Sequence, residues 1–457
     1  MIQVFSRLLP ALGALALLLA HTVPATALDI QRVVSDKGIE AWLVEEHAVP
    51  LIVMEAAWDA GSAQDPEGKE GLSVMLASLM DEGAGELGSQ AYQRALAELA
   101  VQLGFNANRD TLDVKLKTLS ENRDAAFALL KKALEEPRFD EEAVARIRDQ
   151  LKVAVARDLD NPGDIASRAW YEAALGGHPY ARPTKGTEET LSAITRADIA
   201  DAHKRLIARD NLHVAVVGDI DAETLKKLLD DTFGNLPESS DGREIADVKV
   251  NAEGRTEVIR RDIPQSVAIF GHGGIKRDDP DFIPAFIMNH ILGGGSFTSR
   301  LMSEVREKRG LAYSVVSYFY PLDHTGLYVG QVATENARVA ESLDIIRAEI
   351  ARMAEEGVSE AELEDAKTYL TGSYPLRFDS NEKIAAQLIG LQLGGLPITY
   401  VDERNEMIDA VTKEDIARVA ERLLHPGELI VTVVGQPEGI EPAAASGASA
   451  EETSQAE

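Results

Sequence analysis

The chain reads as an α+β protein made of two homologous domains, each an antiparallel β-sheet packed against helices, and three observations predict this. With 457 residues it is too long for one ordinary hydrophobic core. One supersecondary unit occurs twice: residues 194–218 match residues 411–435 without a gap, from Ile-Thr-Arg-Ala-Asp-Ile-Ala and Val-Thr-Lys-Glu-Asp-Ile-Ala through to a shared Val-Val-Gly. Each half also opens with strands before its helices, which is the α+β order.

In chain order, Val33 to Val44 reads as a hairpin turning at Asp36-Lys37-Gly38, and Leu51 to Trp58 as a third strand. Helical periodicity predicts helices over about 70–83, 89–103, 121–135 and 140–158, with an alternating strand Leu112-x-Val114-x-Leu116 between the second and third. In the repeated unit, Thr195 and Thr412 stand as helix N-caps, with Asp198 and Asp415 three positions on in the first turn. Leu212-x-Val214-x-Val216 and Leu429-x-Val431-x-Val433 then alternate as strands stopped by Gly218 and Gly435. The turn-rich run from Pro237 to Arg243 opens a linker, assigned to 237–255. Strands near 256–261, 266–272, 312–320 and 326–334 rebuild the pattern in the second half, with a helix from about Phe297 to Lys308. The N-terminal domain is thus 28–236 and the C-terminal domain 256–436.

Both ends lie outside this scheme. Arg7, the apolar run Leu8–Ala20 and the small residues Ala25-Thr26-Ala27 read as a signal peptide over 1–27, cleaved after Ala27. The run is shorter than the ~20 residues that span a bilayer, so export to a bacterial periplasm is expected, with no span left after cleavage. Residues 437–457 are Ala, Ser, Glu and Gln with almost no large apolar residue, and read as a disordered tail.

Charge and cysteine content exclude whole classes. Lys and Arg number 46 against 76 Asp and Glu, a formal net charge of −30. Nucleic-acid binding calls for a basic face, so that partner is excluded. Without cysteine there is no thiolate zinc site, no cysteine nucleophile and no disulfide. The nine histidines contain no pair at i, i+4 and no His-x-His. His178, in Gly-Gly-His-Pro-Tyr, reads as a turn residue.

Two segments carry the functional reading. Residues 68–80 keep the frame of a zinc-peptidase helix, yet an inverted His-x-x-Glu-His motif laid on them falls on Val74, Ala77 and Ser78, none of which binds metal or moves a proton. In the second half, Gly293-Gly294-Gly295 precedes a helix, and Arg306 and Tyr313 stand seven apart. No Gly-Lys-Ser/Thr follows the glycines, so they read as a close backbone approach to a neighbouring helix or a bound peptide rather than a phosphate loop. From spacing alone Arg306, Lys308 and Arg309 are cations at a helix C-terminus and Tyr313 is a strand aromatic.

Together these segments resemble the pitrilysin/insulinase family of zinc peptidases, and in particular the non-catalytic partner of its two-chain, mitochondrial processing peptidase-like members. The resemblance runs from about residue 30 to about 436. It implies a LuxS/metallohydrolase-like fold and places the family's third ligand, a Glu, on the helix through Lys152 to Val155, where no carboxylate stands. It implies that the glycine loop handles substrate, that the Tyr313 hydroxyl donates to a developing oxyanion and that Arg306 holds a substrate carbonyl. The chain is therefore expected to bind no metal and no cofactor. A homologous chain would supply the zinc, making this a subunit that is inactive alone and acts on peptides or unfolded proteins. A non-enzymatic scaffold or peptide-binding protein on the same fold is the alternative.

Overall fold

The computed structural model describes residues 28–440. The expected leader at 1–27 with its cleavage after Ala27, and residues 441–457 of the expected tail, lie outside the described residues.

The first half begins with β1 (Gln31–Val34), β2 (Glu40–Glu45) and β3 (Leu51–Trp58). Next come α1 (Leu72–Ala77), the short pair β4 (Gly83–Ala84) and β5 (Leu87–Gly88), α2 (Ser89–Glu98), β6 (Gln102–Ala107) and β7 (Leu112–Leu119). Then follow α3 (Arg123–Glu135), α4 (Glu141–Asp160), α5 (Pro162–Leu175), α6 (Glu188–Ala193), α7 (Arg196–Leu206), β8 (Leu212–Gly218) and α8 (Ala222–Phe233). The second half contains β9 (Arg255–Arg260), β10 (Gln265–Gly273), α9 (Phe282–Asn289), β11 (Ala312–Leu322) and β12 (Thr325–Glu335). It closes with α10 (Val339–Glu356), α11 (Glu360–Gly372), α12 (Asn381–Leu393), α13 (Tyr400–Ala410), α14 (Lys413–Leu423) and β13 (Ile430–Gly435).

The duplication seen in the sequence is a duplication of sheets. The first sheet runs β1-β2-β8-β3-β7-β6 and the second β11-β12-β10-β13-β9. Read from opposite ends, the five shared strands have the same order. The repeated strands β8 and β13 hold equivalent central places, each with one parallel neighbour, β2 or β9. Thr195 and Thr412 cap α7 and α14 as the sequence predicts, each in a reciprocal box with the Asp three residues on. Gly218 and Gly435 end the strands at φ 140° and 150°, and a Cβ on Gly218 would run into the Leu51 carbonyl. Only glycine adopts that turn without strain.

Most helices of each half cover one face of its own sheet, and the opposite face is covered by a helix from the other half. Helix α5, with Ala166, Trp170, Ala173 and Ala174, packs on Ile269, Val329, Ile430 and Val434 of the second sheet. The Trp170 indole N–H donates to the Ile430 carbonyl at 3.0 Å, and Thr432 donates to the Ala166 carbonyl at 2.7 Å. Reciprocally, α12 lays Ile384, Ala385, Leu388 and Leu391 on Val44, Val53, Ala57, Ala215 and Val217 of the first sheet. Its Gln392 amide donates to the Val214 carbonyl at 2.9 Å. The segment 237–254 has no regular element and runs along the seam. Its Asp241 N–H donates to Arg205 in the first half, and its Val248 N–H to His324 in the second.

Three expected helices are corrected, and one unexpected helix appears. The helix expected over 70–83 ends at Ala77, although Leu72, Met75, Leu76, Leu79 and Met80 are all buried as its stripe requires. The helix expected over 89–103 stops at Glu98, where Ala100 turns to φ 53° and β6 begins two residues later. The helix expected from Phe297 to Lys308 is a 3-10 turn at Ser296–Thr298 and a π-helical turn at Met302–Glu307. Helix α5 was not expected at all; Asn161 caps it, accepting from Gly163 and Asp164, and Pro162 opens it.

Candidate functional site

Helix α1, on which the inverted motif would fall, is anchored at its start. The Asp65 carboxylate accepts from the Gly71 and Ser73 backbone N–H groups, both at 2.9 Å, fixing the start of α1. Along α1, Val74 is half-buried, Ala77 is buried, and Ser78 turns its hydroxyl back onto the Val74 carbonyl at 2.8 Å. On α4, the run Lys152 to Val155, onto which the resemblance placed the third ligand, holds no carboxylate, and Val155 is buried. Zinc takes imidazole, thiolate or carboxylate donors, and Val74, Ala77, Ser78 and Val155 provide none, so these positions do not fit the ion. Among the described residues no group of three or more His, Asp or Glu side chains is placed to hold a metal. His178 accepts from the Tyr180 backbone N–H at 3.2 Å, and its Nε2 lies 2.9 Å from the Ala246 carbonyl, a turn-forming role.

The structure brings Arg306 and Tyr313 together. Arg306 leaves the π-helical turn whose Met302 and Val305 are buried, and its guanidinium lies near two rings, 4.7 Å from Phe297 and 4.8 Å from Tyr313. Such cation–π contacts hold the guanidinium without using its N–H donors. Lys308 and Arg309 both pair with Glu304, at 2.5 and 2.6 Å. Arg306 has no carboxylate or hydrogen-bond acceptor among the described residues. Tyr313 sits where β11 shifts register between Ala312 and Val315, and this bulge leaves the side chain 80% exposed. Phe297, at 57% exposure, was not singled out from sequence.

A staple holds this segment in place. Arg300 makes two bonds to the Glu362 carboxylate, at 2.7 and 2.9 Å, and a third to the Gly357 carbonyl at 2.8 Å. Arg300, with the Ser359 N-cap, draws the Glu362 carboxyl down to about 2. Of the three glycines, Gly293 is buried, and a Cβ there would strike the Ser317 hydroxyl of β11. Gly294 is exposed, and the Gly295 N–H donates to the His290 carbonyl at 2.8 Å. The close backbone approach at Gly293 is therefore to a strand of the same half. The imidazole of His290 stacks on Tyr369 of α11 at 5.2 Å.

The duplicated sheets and the motif positions without a metal donor among the described residues agree with what comparison with known families finds. Residues 56–188 match the family described as insulinase (peptidase family M16), and residues 193–370 match the peptidase M16 inactive domain. The chain belongs to peptidase family M16. It is 27% identical over 347 residues to a protein of Helicobacter pylori described as a non-peptidase homolog, covering 75% of this chain and 79% of that one. It is 29% identical over 287 residues to an uncharacterized zinc protease of Mycobacterium leprae, covering 61% and 63%. The crystal structure of a peptidase M16 inactive domain from Pseudomonas fluorescens superimposes with a TM-score of 0.85 at 27% identity, covering 91% of this chain and all of that one. No helix among the described residues is long and apolar enough to cross a membrane.

Proposed function

We propose that the chain is the zinc-free subunit of a heterodimeric periplasmic M16 peptidase. A homologous chain with an intact His-x-x-Glu-His helix carries the zinc. This chain closes the chamber and presents Arg306 and Tyr313 to the peptide being cut. The contrast between the two sites supports this reading most: the metal positions hold Val, Ala and Ser, while Arg306 and Tyr313 are adjacent and accessible. Tyr313 donates its hydroxyl to the developing oxyanion and Arg306 holds a substrate carbonyl through its N–H donors. Gly294 and Gly295, at the end of the π-helical turn His290–Gly294, lie beside the substrate path. β11 and β6 are sheet edges, open to an extended peptide by strand addition.

Co-purification of the chain with a zinc-bearing sister, followed by peptide hydrolysis assays on the complex and on each chain, tests the proposal. Tyr313→Phe in the complex should lower turnover by roughly 10²–10³ with zinc content unchanged. Chelator-sensitive hydrolysis by this chain alone would refute the subunit reading. An unchanged rate in Tyr313→Phe would favour the scaffold.

A further inference from the structure

A second site lies apart from the Arg306 segment. A cavity of about 210 Å³ opens between α9, α12, α13 and the 3-10 turn at Tyr374–Phe378. Three arginines line it, Arg277, Arg377 and Arg404, with the rings of Phe282, Phe286, Tyr374 and Tyr400 between them, and no carboxylate. In a chain with 76 acidic residues such a lining is anomalous. The cavity next to it, at the seam between the halves, balances Lys276 and Arg277 with Asp110, Asp278 and Asp323.

Arg404 is the center of this arrangement. It is only 6% exposed, yet it makes no ion pair among the described residues. One Nη donates to the Leu370 carbonyl at 3.2 Å and to the Asn405 amide oxygen at 3.1 Å. Its other N–H groups have no protein acceptor among the described residues. Its guanidinium lies over Tyr374 at 4.1 Å, and Arg277 lies over Phe282 at 4.1 Å and near Tyr400 at 5.1 Å. The aromatic faces hold the cations in place without neutralising them. Burial, with repulsion from Arg377 and Arg277, disfavours the charged form of Arg404. A buried cation is ordinarily paired, and leaving one unpaired is costly.

We propose that this cavity is a binding site for an oxyanion, the terminal group of a carboxylate or phosphate ligand, held by Arg404 and Arg277 with Arg377 at the mouth. The fork of each guanidinium suits two oxygens of such a group. Its lining residues do not include Arg306 or Tyr313.

Two variants test it on the full chain. Arg277→Gln removes one half-buried cation that has no hydrogen-bonding role in the fold. Gly390→Glu uses an open position, since a Cβ there meets nothing within 4 Å, to place a carboxylate in the cavity. Titration calorimetry and thermal unfolding are run at fixed ionic strength against chloride, with inorganic phosphate, a short peptide with a free C-terminus and its C-terminal amide. Wild type should bind phosphate or the free-acid peptide saturably and gain Tm, with no gain from the amide. Arg277→Gln should weaken binding roughly tenfold or more. Gly390→Glu should abolish it while unfolding at a higher Tm than wild type without ligand. Phosphate binding alone identifies a phosphoryl ligand, and free-acid binding alone a peptide terminus. No saturable binding of either, or equal binding by both variants, overturns the proposal.

Discussion

Replacing Trp170 tests the exchange of helices between the halves. The indole is fully buried, donates to the Ile430 carbonyl at 3.0 Å and reaches close enough to Gly271 that a Cβ there would stand 2.8 Å from its ring. Truncation to alanine removes that ring from a packed contact, a loss of roughly 3–5 kcal/mol. The orphaned indole bond adds about 1 kcal/mol. Against the 5–15 kcal/mol that typically separates folded from unfolded domains, Trp170→Ala approaches the limit of folding. Trp170→Phe keeps most of the volume and is the working variant, expected to cost about 1–3 kcal/mol. The assay is hydrogen exchange by mass spectrometry, with urea unfolding for the total. Although Trp170 lies in the first half of the chain, its contacts are with β13 and β10. Protection should therefore fall first at Ile430–Val434 and Gln265–Gly273. Loss confined to residues before 237 would refute the exchanged packing.

Further outcomes follow from the staple and the strand ends. Glu362→Gln should destabilise the chain by roughly 1–2 kcal/mol at neutral pH, after allowance for partial exposure. Because the folded carboxyl titrates near 2, below its ordinary range near about 4.3, its contribution is full above that range and is lost as pH falls through about 2. The stability gap between wild type and Glu362→Gln, followed by urea unfolding, should thus narrow from about pH 4 downward; a gap that widens in acid would contradict the ion pair. Gly218→Ala, at φ 140° against the Leu51 carbonyl, should cost roughly 2 kcal/mol or more in chemical denaturation. A neutral result would mean that the strand end rearranges freely.

Local and repeated features were legible in the sequence. The caps at Thr195 and Thr412, the stops at Gly218 and Gly435, and the alternating sequences of β7 and β8 each depend on residues a few positions apart. The misread helices share a cause. Leu72, Met75, Leu76, Leu79 and Met80 are buried as periodicity requires, but burial does not fix backbone hydrogen bonding, and the chain leaves the helix at Ser78. In the same way Val101, Leu103 and Phe105 continue an apolar pattern across the change from α2 to β6. At the site, the lack of metal donors at Val74, Ala77 and Ser78 was readable from residue type, and the link between Arg306 and Tyr313 only through the family resemblance. Phe297 as the second ring on Arg306 was not, because the eight residues between them run through a 3-10 and a π-helical turn in place of the expected helix. Arg277, Arg377 and Arg404 lie far apart in the chain, and each alone reads as a solvated cation.

The crossed helices also bear on how such a chain could arise. If either half were made alone, one apolar sheet face would stand open, the face that Trp170 or Leu388 now covers. Two copies of the ancestral half could have hidden those faces only in each other, as a domain-swapped homodimer. Gene fusion would then have joined a pair already assembled, and fragments cut near residue 240 and co-expressed should recombine into one particle rather than fold apart.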